Sequence, residues 1–499
     1  MEIKFNSFFR EELSIDRIQE AMESGEITSK ELVMYYLYRI ANIDQGGPRI
    51  NSMLEINSEA IFIAEALDNE RKLKGSRGPL HGIPIVLKDN IETKDSMHTS
   101  AGTLALENHL ACQDAFLVKK LREAGAVILG KTNMTELANG MSSEMWAGYS
   151  ARGGQTLNPY GDPTLFVGGS SSGSAVAVAS NFSVLAVGTE TDASILSPAI
   201  QNSVVGIKPT VGLISRNGII PFTYSQDTAG PFARTVKDAA ILLGALVGID
   251  DHDIATYKSE GNAQQNYTND LDTKGLNNTK IGIFNDAPKD YYDSGEYDAQ
   301  LFQHAIQALT EQGATIIENI NIPSFHMDWK WDVPLYELKH SLDNYLSKLP
   351  SHMPVHSISE LIQFNKKFGE KALKYGQDKL ERRESYSNTL RDSKYLNAKL
   401  EDLYFSQEQG IDYVLKKYDL DAIVFPSYIG STISAKAGYP SIAVPAGYMA
   451  NGRTFGITFA GTAFSEGDLI KFAFAFEQAT KHRIAPKLFL ERRRKDAKE

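Results

Sequence analysis

Serine recurs where this chain gathers glycine. Residues Gly168-Gly169-Ser170-Ser171-Ser172-Gly173-Ser174-Ala175 form one turn-rich stretch, and Gly188-Thr189-Glu190-Thr191-Asp192-Ala193-Ser194 form a second. A helix-like Ala/Val run and a short strand-like segment separate them. Such an arrangement suits three kinds of chemistry. Glycine-rich turns cradle phosphates with backbone N–H groups, but the Gly-Lys-Ser/Thr ending of a P-loop is missing here. Gly169-Ser170-Ser171-Ser172-Gly173 fits the G-x-S-x-G nucleophile elbow, with Ser171 as nucleophile. An elbow needs an Asp or Glu and then a His downstream. His252, His304, His326, His340, His352, His356 and His482 leave that reading open. It also needs an apolar strand directly before it, and Asp162-Pro163-Thr164-Leu165-Phe166-Val167 is a poor strand. The third chemistry is acyl transfer by a serine that another side chain activates.

A longer series of segments bears on that third chemistry. Gly82-Ile83-Pro84-Ile85-Val86-Leu87-Lys88-Asp89-Asn90 comes first, then Gly130-Lys131-Thr132-Asn133-Met134-Thr135-Glu136, then the two serine turns. Gly206-Ile207-Lys208-Pro209-Thr210 follows, with Gly212, Ser215, Gly218 and Pro221 after it. Ser225-Gln226-Asp227-Thr228-Ala229-Gly230-Pro231, Gly438-Tyr439-Pro440-Ser441, Pro445-Ala446-Gly447 and Phe476-Glu477-Gln478-Ala479 complete the set. In this order the chain resembles the amidase signature family over most of its length, apart from residues 325–415. The pattern, including Gly-Thr-Glu-Thr-Asp, is most similar to peptide-amidase-like members, which cleave C-terminal amides.

The resemblance implies an α/β fold with a large mixed sheet covered by helices on both faces. It implies a catalytic set of Lys88, Ser170 and Ser194, in which Ser170 bridges the lysine and the nucleophile Ser194, 24 residues further on. It also implies a cis peptide at Ser170, and an acyl-enzyme on Ser194 that yields acid and ammonia or amine. The oxyanion hole falls on the backbone N–H groups of Thr191, Asp192, Ala193 and Ser194. Many relatives carry Gly-Gly before the nucleophile, where this chain has Asp192-Ala193. Many also carry an Arg two or three residues after it, where this chain has Leu196 and Ser197. Those two are the candidate substrate-binding residues, and they predict a neutral or apolar acyl group.

These residue types suit the reaction. A free serine hydroxyl is a weak nucleophile at neutral pH. An ordinary lysine, with a pKa of about 10.4, is almost fully protonated there. Burial beside Ile85 and Leu87 disfavours the charged form, which makes Lys88 a base for Ser194 by way of Ser170.

The elements that must position these residues alternate between strand and helix. Ile83–Leu87, Ala126–Gly130 and Ser183–Gly188 read as buried strands, and Phe116–Ala124 as a helix between the first two. Later, Gln300–Leu309 reads as a helix and Thr315–Ile322 as a strand, with more strands at Ala422–Pro426, Ser441–Pro445 and Phe455–Ala460. This alternation also predicts a sheet covered by helices on both faces. Residues 1–60 open with two helices, the second announced by the capping box Thr28/Glu31. The core comprises 61–324 and 416–490, and 491–499 is a charged tail. Residues 325–415 are charged, Tyr/Phe-rich and helix-forming, as in Ser359–Leu380. They read as an inserted helical subdomain, either a lid over the site or packing filler.

Composition narrows the class. The chain has 499 residues and a net charge of −11, which argues against nucleic acid as the main partner. Cys112 is the single cysteine, so no intramolecular disulfide forms, and a cytoplasmic location is expected. The N-terminus lacks an apolar signal core, and no run reaches about 18 apolar residues, so no membrane partner is expected. No metal spacing appears, and no cofactor is expected. The expected partner is a small-molecule or peptide amide, and a homodimer is left open. Two alternatives remain: a glutaminase subunit of a tRNA-dependent amidotransferase, and a catalytically impaired amidase-fold binding protein.

Overall fold

The computed structural model describes residues 7–10, 12–162, 164–269, 271–286 and 297–488. The tail assigned to 491–499 lies outside the described residues. Thirteen strands are found among them: β1 (Met53–Ile56), β2 (Pro84–Lys88), β3 (Val127–Thr132), β4 (Tyr149–Ser150), β5 (Gly154–Gln155), β6 (Leu185–Glu190), β7 (Val205–Lys208), β8 (Thr228–Ala233), β9 (Lys280–Ile283), β10 (Thr315–Ile317), β11 (Ala422–Pro426), β12 (Ser441–Tyr448) and β13 (Thr454–Ala460). All but β4 and β5 join one mixed sheet in the order β1-β3-β2-β6-β8-β7-β12-β13-β11-β9-β10.

The centre of this sheet explains the sequence pattern. β2, β3 and β6 are buried along their whole length, so they read as continuous apolar runs rather than alternating ones. β2 pairs in parallel with both neighbours, so its C-terminal end and that of β6 reach the same edge of the sheet. Loops at the carboxyl ends of parallel strands are where open α/β sheets place ligands. The Ser172–Ala179 helix lies against this region, and every residue in it is buried. That is why its composition is only Ser, Gly, Ala and Val.

The first two helices form as read. Ile15–Glu23 buries Ile15, Ile18 and Met22. Ser29–Arg39 starts at the capping box, with Thr28 Oγ1 accepting from Glu31 N at 3.1 Å and Glu31 Oε2 accepting from Thr28 N at 2.8 Å. One reading changes. The strand expected over Thr315–Ile322 is three residues long, Thr315–Ile317, and the chain leaves the sheet edge after it. The helix-forming stretch Ser359–Leu380 falls on three helices, Ile358–Phe368, Glu370–Leu373 and Asp378–Glu384. The breaks fall at Gly369 and Gly376, which sit at φ +58 and +76, a region that glycine enters without steric cost.

Helices at Asp332–Leu346, Ile358–Phe368, Asp378–Glu384 and Ser393–Ser406 pack on one another. Leu338, Leu342, Ile358, Leu361 and Leu380 form a separate apolar cluster with Met134, Met141, Ile220 and Phe222. The first three of these helices are therefore seated on loops that leave the carboxyl edge of the sheet. No helix among the described residues is long and apolar enough to cross a membrane.

Candidate active site

Lys88 is the last residue of β2, and Ser194 lies in the turn that follows β6. Parallel pairing of β2 with β6 brings the two together across more than 100 residues of sequence. Ser170 arrives from the turn before the Ser172–Ala179 helix. That turn presses against neighbouring backbone: a Cβ on Gly173 would lie 2.4 Å from Asn133 O and from Ser52 O, so only glycine fits. The Gly169–Ser170 peptide is cis.

Three side chains then form a continuous hydrogen-bonded line. Lys88 Nζ donates to Ser170 Oγ at 2.7 Å, and Ser170 Oγ donates to Ser194 Oγ at 3.1 Å. Lys88 Nζ also donates to Thr189 Oγ1 at 2.9 Å and to Thr189 O at 3.1 Å. Asn90 Nδ2 donates to the same Thr189 hydroxyl at 3.0 Å. Exposure rises along the line, from 0 % at Lys88 and 1 % at Ser170 to 7 % at Ser194. Of the three, Ser194 is the one a substrate can reach most readily.

Burial pushes the Lys88 amine down to about 7, against the opposing pull of the Asp227 and Glu190 carboxylates. Burial also lowers Lys131 and Lys208, each to about 8. Geometry separates the three lysines. Lys131 Nζ donates to Ile91 O and Thr99 Oγ1, and Lys208 Nζ to Pro209 O and Tyr439 O. Lys88 is the one bonded to a serine hydroxyl of the two turns.

The turn from Thr191 to Ser194 is held from several sides. Asp192 Oδ2 accepts from Thr432 Oγ1 at 2.8 Å, and Thr191 Oγ1 donates to Asp227 Oδ1 at 2.6 Å. The buried Glu190 carboxyl, pushed up by desolvation to about 7, accepts from Ile195 N at 2.5 Å and Leu196 N at 3.0 Å. Among the described residues, the backbone N–H groups of Thr191, Asp192, Ala193 and Ser194 donate to no protein acceptor. Ala193 sits at φ +61, a left-handed conformation that glycine adopts more cheaply. The Cβ at this position is thus accommodated without breaking the Ser170–Ser194 contact.

Ser171, the nucleophile of the elbow reading, is occupied elsewhere. Its hydroxyl donates to Thr189 O at 2.9 Å and accepts from Thr189 N at 3.2 Å, and it is fully buried. It ties the two serine turns together. Among the described residues no histidine lines the cavity at Ser194. His81 is a structural residue: Arg77 N donates to its Nδ1 at 3.2 Å, and its Nε2 lies 2.9 Å from Leu67 O.

Ser170 and Ser194 open into a cavity of about 840 Å³. Thr191, Asp192, Ala193 and Ser197 also line it, whereas Leu196 does not. Leu196 starts the Leu196–Gln201 helix and is fully enclosed in the main apolar core. Of the two residues expected at the substrate wall, only Ser197 is in place to meet a ligand. Phe166, Phe222, Trp329, Trp331 and Tyr428 supply an aromatic wall that no sequence motif announced. Lys330, Lys379, Arg382, Arg383 and Lys394 also face it, with Asp328 and Asp332. Much of the wall therefore comes from residues 325–415.

Comparison with known proteins fits this geometry. A family profile described as Amidase matches residues 31–470. A probable amidase of Arabidopsis thaliana is 41% identical, over 97% of this chain and 94% of its own. The native peptide amidase from Stenotrophomonas maltophilia is 41% identical and superposes with a TM-score of 0.89. That match covers 96% of this chain and 99% of the peptide amidase. An amidase family protein from Bacillus anthracis is 40% identical with the same TM-score, over 95% and 92% of the two chains. The fold and these likenesses define the class, a hydrolase acting on carbon–nitrogen amide bonds. The chain belongs to the amidase signature family.

Proposed function

We propose that this protein hydrolyses the C-terminal carboxamide of short peptides to acid and ammonia, through an acyl-enzyme on Ser194. The observation that carries the mechanism is the unbroken line Lys88 Nζ–Ser170 Oγ–Ser194 Oγ. Hydroxyl protons rotate, so the same contacts serve when Lys88 is neutral. Ser194 Oγ attacks the amide carbon and passes its proton to Ser170 Oγ, which passes its own to Lys88 Nζ. The carbonyl oxygen gathers negative charge, for which the free N–H groups of the 191–194 turn are the available donors. Each such donor is worth on the order of 100- to 1000-fold in rate. The proton on Lys88 returns along the line to the leaving nitrogen, and ammonia departs. Water then attacks the acyl-enzyme with the same groups acting as base, and the acid is released.

The peptide-amide assignment rests on likeness to the Stenotrophomonas enzyme and on the cavity. A volume of about 840 Å³ lies within the range of roughly 300–1,000 Å³ that accommodates ligands of modest size. Its aromatic walls suit side chains of a short peptide. The direct test is ammonia release from a panel of C-terminal peptide amides, aliphatic amides and glutamine. Peptide amides should turn over best, and the Ser194→Ala variant should be inactive on all. A clear preference for free glutamine, with a stoichiometric copurifying partner, would instead identify a glutaminase subunit. No turnover of any amide, with ligand binding retained, would identify a binding protein.

A further inference from the structure

The cationic groups on the cavity wall are unevenly spent. Lys394 is paired with Asp332 at 2.7 Å, and Lys330 with Glu401 at 3.6 Å. Lys379, Arg382 and Arg383 stand on the Asp378–Glu384 helix, and among the described residues none of them pairs with a carboxylate. Lys379 Nζ only approaches Asn139 O and Oδ1, at 3.4 Å each.

Arg383 is the unusual member. Its residue exposure is 5 %, and its guanidinium lies 5.0 Å from the centre of the Phe222 ring. One guanidinium nitrogen donates to Gly140 O at 2.5 Å, while the buried Nε has no acceptor among the described residues. The nearby Asp378 carboxylate is already engaged by Ser143 N and Oγ, each at 2.9 Å. Burial and the charge of Arg382 push the Arg383 guanidinium down to about 10. It stays charged at neutral pH. A buried charge without a counter-charge is costly, and this one borders the cavity that holds Ser194.

We propose that Arg383, assisted by Lys379 and Arg382, forms an anion subsite that binds a carboxylate on the substrate, away from the amide that is cleaved. The geometry points to an acidic side chain of a peptide amide as its occupant. A carboxylate matches a planar guanidinium by charge and by paired hydrogen bonds, and ring stacking against Phe222 holds the fork in place. The substrate class rests on the peptide-amide reading above. The neutral acyl group expected near Ser197 concerns the part of the cavity beside the scissile bond, so the two demands fall on different parts of one ligand.

The experiment compares two matched acetylated dipeptide amides that differ only in carrying Glu or Gln at the residue before the C-terminal one. For the native protein, kcat/KM should favour Glu by about tenfold or more, as for a charged hydrogen bond in a screened pocket. The preference should shrink with added salt. In Arg383→Gln the ratio should collapse to about one. Should that variant fail to fold, Lys379→Gln and Arg382→Gln, whose side chains are less buried, should each lower the ratio severalfold. Equal turnover of the two amides by the native protein, or a preference for Gln, overturns the subsite. Calorimetric binding of both peptides to Ser194→Ala needs no turnover and keeps the two proposals apart. Glu-selective binding without hydrolysis by the native protein would sink the catalytic reading and retain the subsite. Hydrolysis of both without selectivity would do the reverse.

Discussion

Replacing Lys88 with methionine removes the proposed base and keeps the apolar stem. With its amine near 7, about half of the native Lys88 is neutral at pH 7, against about 0.04 % for an ordinary lysine. Burial therefore supplies about 10³ more competent base. General base catalysis is commonly worth about 10² to 10⁴, so Lys88→Met should lower kcat/KM by at least about 100-fold. The assay is ammonia release from a peptide amide between pH 5.5 and 9.5. For the native protein, kcat/KM should rise about tenfold per pH unit below about 7 and level off above it. The variant should lose that inflection. Turnover within about tenfold of native would refute the reasoning, as would an inflection that persists in Lys88→Met and vanishes in a His→Ala variant. The second outcome would restore the histidine-dependent elbow.

Other outcomes follow from the same geometry. Native Lys88 releases its proton near 7 and the unfolded chain keeps it to about 10.4, so between those values the unfolded state binds more protons and stability rises with pH. The unfolding free energy of native minus Lys88→Met should thus climb by about 3.5 kcal/mol from pH 7 to 10 in urea titrations; a pH-independent difference would contradict the buried, neutral amine. Ser170→Ala breaks the relay without touching Lys88 or Ser194, and should cost kcat about 100-fold or more with little change in KM. Unchanged kcat would show that Lys88 acts without it. Ser171→Ala leaves Thr189 N without its acceptor and should cost about 1–3 kcal/mol of stability while Ser194 still reacts; loss of all reactivity in a folded Ser171→Ala variant would favour the elbow. Ala193→Gly relieves the left-handed Ala and should stabilise the fold by up to about 1 kcal/mol with catalysis retained. Marked destabilisation on urea denaturation would show that the turn needs its Cβ.

The serine turns and the strand-end lysine were legible because each carries a local signature, glycine for tight backbone approach and an apolar run for a buried strand. Their convergence is implied only by the family resemblance, since it depends on β2 pairing with β6 in parallel, and pairing order leaves no mark on composition. Leu196 shows the limit of counting from a motif. Two residues past Ser194 is enough to enter a helix whose first turn faces the core, so the side chain turns away from the cavity while Ser197 meets it. Thr189, Asn90 and Glu190 fall within the motif segments but carry no assigned role there, because their work is to hold Lys88 and the turn, which ordinary polar residues do in many loops. Trp329, Trp331 and Arg383 lie in a stretch that carries none of the motif segments. A buried arginine without a carboxylate partner becomes visible only once helices are packed, because sequence spacing does not reveal which carboxylates lie near it. The helix-forming stretch there divides for a local reason: Gly369 and Gly376 adopt positive φ and break it.

The central claim is that Ser194 is the acylated residue. Treating the protein with a fluorophosphonate and mapping the adduct by peptide mass spectrometry tests it directly. One modified residue is expected, Ser194, with labelling lost in Ser194→Ala and slowed at least about 100-fold in Lys88→Met. An adduct on Ser171, or full labelling of the Ser194→Ala variant, would contradict it.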